Sequence, residues 1–343
     1  MNKEITIYDI AKGIGVSPTT VSRALNNHPA VKEKTKKKIF QAASEMGYQS
    51  NVFAANLRSK KTNNIGVIVP SLNSSFQASV LAGMEKIASE AGYNLVITQS
   101  LESSEKEIAN TLSMFKSRVD GLIVSLASEA EKLEHFEPFH KKGIPVLFYD
   151  RVANSRDSVG VTIDNIHAAQ IATNHLIEQG CKNIVHVLGS TKISVYAERL
   201  KGFKYALIDN GMEFKEDQVI VLDKIDENGA EYVVDKILNM NPLPDGLFVS
   251  NDACAASCMN QLIQKGIKIP ENIALVGFNN EVISRLVHPK ITTINYPGVE
   301  MGEVVMRNLI NHLDEPETML LQNTNKITLR SDLIIRDSSL KKK

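Results

Sequence analysis

The chain has 343 residues, 43% of them apolar and 23% charged, with 39 Lys and Arg against 39 Asp and Glu. That length predicts two or three domains of ordinary globular composition, and no apolar run approaches the roughly 18–20 residues that a membrane helix needs. The neutral total hides an asymmetry, because residues 1–60 hold ten basic and four acidic side chains, a balance of +6, and the remainder, 29 against 35, comes to −6; nucleic acid is thereby a candidate partner of the N-terminal part.

The opening residues, Met1 to Thr6, lack an apolar signal segment and run straight into a capped helix, which predicts a cytoplasmic protein. Thr6 followed by Asp9 reads as a helix N-cap with an acidic partner at the third position, and Ile7, Ile10, Ala11 and Ile14 give that helix an apolar stripe. Gly15 offers a turn, and Ser17-Pro18 is a second N-cap with proline at the first helical position. Val21, Ala24 and Leu25 form the buried face of this second helix, leaving Thr19, Thr20, Ser22 and Arg23 outward before Asn26-Asn27-His28-Pro29 ends it. Two short helices joined in this way form a helix-turn-helix, whose second helix presents Pro18, Thr19 and Arg23 to base edges. Arginine can hold guanine in a bidentate fork, and threonine can bond a base or meet a thymine methyl. A third helix is predicted from about Lys32 to Met46, with Lys34, Lys36, Lys37 and Lys38 on or near its solvated side, suited to phosphate contacts, and Ile39, Ala42, Ala43 and Met46 inward.

The run from Thr6 to Asn26, continuing through Glu45-Met46-Gly47-Tyr48, Ala54-Ala55-Asn56-Leu57-Arg58 and Lys61-Thr62, resembles the DNA-binding head and hinge of the LacI/GalR family, the lactose- and purine-repressor group. The resemblance implies DNA contacts at Thr6, Tyr8, Ser17, Pro18, Thr19, Thr20, Ser22, Arg23, Asn26 and Lys34. It also implies a hinge helix that wedges Leu57 into the minor groove, and such wedging bends DNA at the cost of unstacking. A competing reading is that residues 50–63 are a flexible tether. Two departures are visible: Gln49-Ser50-Asn51 stands where a proline often precedes the hinge, and Ala55 stands where arginine is frequent. Weaker or differently placed phosphate contacts are expected there.

From Ile65 onward short apolar runs alternate with amphipathic helices: 65–69, 95–97, 121–124, 146–148, 184–188, 246–249 and 273–276. Such alternation predicts doubly wound parallel sheets, and their number predicts two lobes with a ligand cleft beyond the strand ends. This also resembles the family, whose core is similar to a periplasmic sugar-binding protein with three crossings between lobes. The resemblance places the crossings near Ile163-Asp164, Thr293-Ile294 and Thr324-Asn325. The implied organisation is a head over 1–49, a hinge over 50–62, an N-lobe over 63–163 plus 295–323, a C-lobe over 164–294 plus 324–338, and a tail over 339–343.

Candidate effector residues follow strand ends and match family positions: Asn73 and Phe76, Asp150 with Arg151, Arg199, Asn251-Asp252 and Asn279. A ring can stack on a sugar face while amides and guanidinium groups bond its oxygens. Each residue could instead be a strand-end cap or an interlobe salt bridge. Many relatives have aspartate where Asn279 stands, and an amide, which both donates and accepts, is expected to make an acidic or phosphorylated ligand easier to hold.

Enzyme signatures are missing: there is no Walker loop, no His-Glu-x-x-His and no Gly-x-Ser-x-Gly. No cofactor or metal is expected, since the eight histidines show no ligand spacing and Cys181, Cys254 and Cys258 read as buried thiols. The expected protein is a DNA-binding regulator, a homodimer on a palindromic operator in double-stranded DNA, controlled by a sugar, sugar acid or sugar phosphate. The tail lacks the heptads of a tetramerising coiled coil. For the body alone, a solute-binding protein without a regulatory role is the alternative.

Overall fold

The computed structural model describes residues 5–48, 61–127, 133–152, 159–314 and 326–341. The chain divides into two compact units, Met1–Thr62 and Asn63–Lys343. Within the first, α1 (Ile7–Ile14), α2 (Pro18–Leu25) and α3 (Glu33–Glu45) surround a small core of Ile10, Val21, Ala24, Ile39 and Ala43. The caps do what the sequence requires. Asp9 Oδ2 accepts from the Thr6 amide at 2.9 Å, and the Thr20 amide donates to Ser17 Oγ at 3.1 Å. One lysine departs from expectation: Lys36 is buried, donating to Asn27 Oδ1 at 2.7 Å and to Glu33 at 2.8 Å, so it braces the α2–α3 turn and is not on the solvated face. Leu57 and the rest of residues 49–60 lie outside the described residues.

The second unit opens with β1 (Asn64–Val69), α4 (Ser75–Glu90), β2 (Asn94–Gln99), α5 (Ser104–Lys116), β3 (Gly121–Val124), α6 (Glu137–Lys141), β4 (Val146–Tyr149) and β5 (Val159–Ile163). It crosses to α7 (Asn165–Glu178), β6 (Ile184–Gly189), α8 (Ser194–Asp209), β7 (Val219–Leu222), α9 (Ala230–Leu238), β8 (Gly246–Val249), α10 (Asp252–Gln264), β9 (Ala274–Asn279), α11 (Ile283–Leu286) and β10 (Thr292–Asn295). It returns through α12 (Gly298–Asp314) and β11 (Lys326–Leu329), and crosses once more to β12 (Leu333–Ile334). The sheet orders are β11-β5-β4-β3-β1-β2 and β12-β10-β9-β8-β6-β7, parallel throughout except for β12. These are two doubly wound lobes, and their buried strands read as continuous apolar runs because helices cover both faces.

Two crossings fall elsewhere than expected. Thr293 and Ile294 lie inside β10, paired with β9, so the second crossing follows at Tyr296-Pro297. Lys326–Leu329 still pairs with β5 of the N-lobe, which moves the third crossing from 324–325 to about residues 330–332. The chain end is also no free tail through residue 341. Ser339 is buried, its hydroxyl 2.7 Å from His175 Nε2 and 2.6 Å from Thr292 Oγ1, and Lys341 Nζ donates to the Asp245 carbonyl at 3.0 Å.

Packing in the N-lobe depends on one close helix crossing. A Cβ on Gly83 of α4 would run into the Val299 carbonyl of α12, and one on Gly302 would run into the Val80 carbonyl. Backbone cannot give way as a flexible side chain can, so Gly83→Ala is expected to lower stability by about 1–3 kcal/mol through overpacking. A denaturant titration reads this directly, and a wild-type midpoint would remove Gly83 from that role.

Candidate functional site

In the N-terminal unit the outward face of α2 is polar: Thr19, Arg23 and Asn26 are exposed, with Pro18, Thr20 and Ser22 half-buried. Ser17 and Thr20 bond each other through their hydroxyls at 2.8 Å, fixing the first turn, and Asn26 Nδ2 donates to the Ser22 carbonyl at 2.8 Å. Thr6 is exposed but spends its hydroxyl on Asp9 at 2.6 Å, Tyr8 is 68% exposed, and Lys34 is solvated. The helix N-terminus and this row of donors suit phosphate and base edges.

In the second unit, residues at the strand ends of the two lobes converge on a buried arginine. Arg199, on α8 and only 3% exposed, donates from Nε to Asn165 Oδ1 at 3.0 Å and from Nη1 to the Ser250 carbonyl at 3.1 Å. Its guanidinium carbon lies 3.6 Å from the centre of the Phe278 ring, a cation–π contact, with Tyr196 and Tyr296 at 5.5 and 5.7 Å. Burial pulls the guanidinium below its usual range, and Tyr296, Tyr196 and Asp150 offset part of that pull. Beneath it His186 bonds Ser250 Oγ at 3.0 Å, and its pKa is driven down to about 3 by burial and by Arg199, so the imidazole is neutral at ordinary pH.

Facing residues come from the N-lobe and the second crossing. Asp150 accepts from the Tyr296 hydroxyl at 2.6 Å; burial raises its carboxyl, while Arg151, Tyr296 and Arg199 resist the rise. Tyr296 stacks on Phe76, the ring centres 4.3 Å apart. Arg151 is held by Glu102 at 2.5 Å, an interaction that restrains its side chain within the N-lobe. Asn73 is exposed on the loop before α4.

Backbone strain is concentrated in the same region. Among the described residues eight non-glycine positions have positive φ, and five of them, Leu101, Glu102, Asp150, Asn279 and Asn280, sit at the carboxyl ends of β2, β4 and β9. Such conformations persist where surroundings over-determine them, and they cluster at functional sites.

Three of the expected contact residues are engaged by hydrogen bonds inside the C-lobe. Asp252 is fully buried, with Oδ1 accepting from Thr293 Oγ1 at 2.7 Å and Oδ2 from the Glu281 amide at 2.8 Å; both oxygens are engaged inside the C-lobe, and the residue is a brace. Asn251 caps α10, accepting from the Cys254 amide at 3.0 Å. Asn279 donates its amide to Glu281 Oε1 at 3.1 Å, so the donor expected to welcome an acidic ligand is already taken.

Tyr196, Tyr296, Asn165 and Glu281 escaped the reading of the sequence. Tyr196 lies three residues from Arg199 on one helix face, a spacing that could have found it. Tyr296 follows a strand whose Thr-Thr-Ile-Asn run is too polar and short to stand out.

The description "Bacterial regulatory proteins, lacI family" matches residues 6–51, and "Periplasmic binding proteins and sugar binding domain of LacI family" matches residues 62–331. Catabolite control protein A of Priestia megaterium is 32% identical over 329 residues, covering 95% of this chain and 98% of that protein. The ribose operon repressor of Halalkalibacterium halodurans is 28% identical, covering 97% of both chains. A lac repressor dimer bound to operator and an anti-inducer shares the fold with a TM-score of 0.86, at 22% identity over 98% of this chain and 100% of that one. With both matches in chain order, and relatives that are regulators and not enzymes, the chain belongs to the LacI family of bacterial regulatory proteins.

Proposed function

We propose that this regulator is a cytoplasmic homodimeric repressor of carbohydrate-related genes that reads a palindromic operator through α2 and answers to a small effector bound between its lobes. The observation that carries the reading is the exposed polar face of α2, with Thr19 and Arg23 outward from a turn fixed by Ser17 and Thr20. Thr6, Tyr8, Asn26 and Lys34 flank it as backbone contacts, with Leu57 as the minor-groove wedge. For the effector, Arg199 supplies the fork, Phe76 and Tyr296 the ring faces, and Asn73, Asp150, Arg151 and Asn279 the polar rim. A relative named ribose operon repressor and a solved regulator in complex with cellobiose support a sugar as the ligand class.

Pairing of two copies is supported by the N-lobe edge. There β2, the terminal strand of its sheet, exposes Val96 and Ile97, and α5 exposes Ile108 and Leu112. An edge strand and a neighbouring helix that expose apolar side chains suit self-association, and a two-fold dimer fits a two-fold operator.

Selection of bound duplexes from a random pool by the full-length protein tests the reading. Palindromic half-sites are expected, and a chain lacking residues 1–60 is expected to select nothing. Arg23→Ala is expected to relax preference at one base pair of each half-site by about 1–3 kcal/mol. An unchanged selected sequence with the alanine variant would show that another element enters the major groove.

A further inference from the structure

The loop closing β9 is pinned in a strained shape. Asn279 and Asn280 have φ of 108° and 56°. The Asn280 amide donates to Thr293 Oγ1 at 3.3 Å and its side-chain Nδ2 to Asn295 Oδ1 at 3.0 Å, while Arg336 Nη2 donates to Asn280 Oδ1 at 2.7 Å. The Glu281 amide is held by Asp252 at 2.8 Å. The loop is therefore tied to β10, just before the second crossing, and to the segment after the third.

On this fixed loop Asn279 Nδ2 donates to Glu281 Oε1 at 3.1 Å. Burial raises the Glu281 carboxyl and the Asn279 hydrogen bond opposes the rise; once ionised the carboxylate only accepts, so the amide then has one orientation, its nitrogen facing Glu281 and its oxygen facing away. Among the described residues no donor takes Asn279 Oδ1. Asn279 lines a cavity of about 500 Å³ that shares Phe76 and Tyr296, but not Arg199, Asp150 or Arg151, with the arginine cluster, and whose walls also include Glu281, Glu300 and Glu303. Glu303 is matched by Lys86 at 2.8 Å and by Arg307 at 3.6 Å, whereas Glu281 and Glu300 have no ion-pair partner among the described residues. The uncompensated charge repels an anion.

We propose that Glu281 is a positioning residue that locks the Asn279 amide with its oxygen toward the cavity, so that the site selects an effector bearing a hydrogen-bond donor there, a hydroxyl or an ammonium, against a carboxylate or phosphate. This rests on the reading that the effector binds between the lobes. It reverses the expectation drawn from asparagine at position 279, because the donor that would have met an acidic ligand is consumed within the protein. The residue presents a carboxylate-like acceptor without its charge.

A four-member cycle in the full-length protein tests the lock without any ligand. Asn279→Asp sets two carboxylates face to face and is expected to lower the thermal midpoint at pH 8 by roughly 2–4 °C. Glu281→Gln leaves a weaker neutral pair. Asn279→Asp combined with Glu281→Gln reverses the hydrogen bond, the amide introduced at position 281 donating to the carboxylate introduced at position 279, and is expected to recover the wild-type midpoint. A merely structural role for either residue predicts additive losses, and a double variant no better than Asn279→Asp overturns the proposal.

The ligand class is read on wild type and Glu281→Gln by thermal shift with D-ribose, cellobiose, D-glucose, D-glucosamine, D-gluconate and glucose 6-phosphate. Among responding compounds, the neutral or amino sugars are expected to raise the wild-type midpoint and the two anions to leave it unmoved. Glu281→Gln, whose partner amide can flip, is expected to narrow that difference. Glucose 6-phosphate or gluconate outperforming glucose on wild type overturns the selectivity. Silence from all six counts against a sugar effector, while the ligand-free cycle still decides whether Glu281 orients Asn279.

Discussion

Asp252→Asn is expected to flatten the pH dependence of the body's stability near neutrality. The carboxyl is fully buried at the start of α10, and its pKa is pushed up to about 7, first by burial, with the Thr293 and Glu281 hydrogen bonds opposing. In the unfolded chain the same group ionises near 3.8. Between these values the folded state keeps a proton that the unfolded state has released. The contribution is therefore fully present below about pH 4, declines as pH rises, and is gone above about 7. Three pKa units correspond to something on the order of 4 kcal/mol, a large part of ordinary domain stability. Asparagine keeps an acceptor for the Glu281 amide and carries no charge at any pH. Thermal midpoints at intervals from pH 5 to 8.5 for both proteins isolate the effect in the difference between the curves. The wild type should lose ground to the variant as pH rises, and parallel curves would mean that Asp252 is not the group responsible.

What could be read in advance follows the physics of each element. The three head helices were legible nearly to the residue because their ends are written in local chemistry: Thr6 with Asp9, Gly15, and Ser17 with Pro18. The strands that were seen are the ones with unbroken apolar runs, such as Ile65–Val69. Among those missed, Thr292–Asn295 and Lys326–Leu329 are polar and short, and only their neighbours in the sheet make them strands; Val159–Ile163 and Val219–Leu222 are apolar runs that the same alternation could have found. The displaced crossings follow from these omissions, since a crossing can be located only after the strand before it is recognised. The effector candidates were found by position after a strand, a rule that says where a side chain starts and nothing about what it meets. Hence Arg199 and Asp150 were named without Tyr296, which touches Phe76 from one lobe and Phe278 from the other. Lys36 was misplaced for the same reason, because a basic run on a helix does not disclose which lysine turns toward Asn27.

Arg199→Ala is expected to abolish the response to effector while leaving DNA binding intact. The side chain makes two hydrogen bonds that hold Asn165 and the Ser250 carbonyl and one close ring contact with Phe278. Those account for Nε and Nη1, and leave Nη2 as the guanidinium nitrogen without a hydrogen-bond partner among the described residues. A ligand oxygen placed there receives a charge-assisted bond from a group whose orientation is already fixed, so little ordering is lost on binding. Removing a buried charged donor of this kind costs roughly 2–5 kcal/mol, which is thirtyfold to several-thousandfold in effector affinity. Some loss of stability is expected as well, since Asn165 and the Ser250 carbonyl lose their donor and Asp150 loses a nearby positive charge. Arg199→Lys separates the two effects: it retains the charge but cannot hold both acceptors and still offer a planar donor to a ligand. Titrating a responding sugar into the protein–DNA complex, with fluorescence anisotropy of the duplex as the readout, should show a flat line for both variants across concentrations that shift the wild type. DNA affinity without sugar should match the wild type in each. A lysine variant that still responds at wild-type concentrations would reassign the ligand's fork to another group, Arg151 being the cation on the facing N-lobe side.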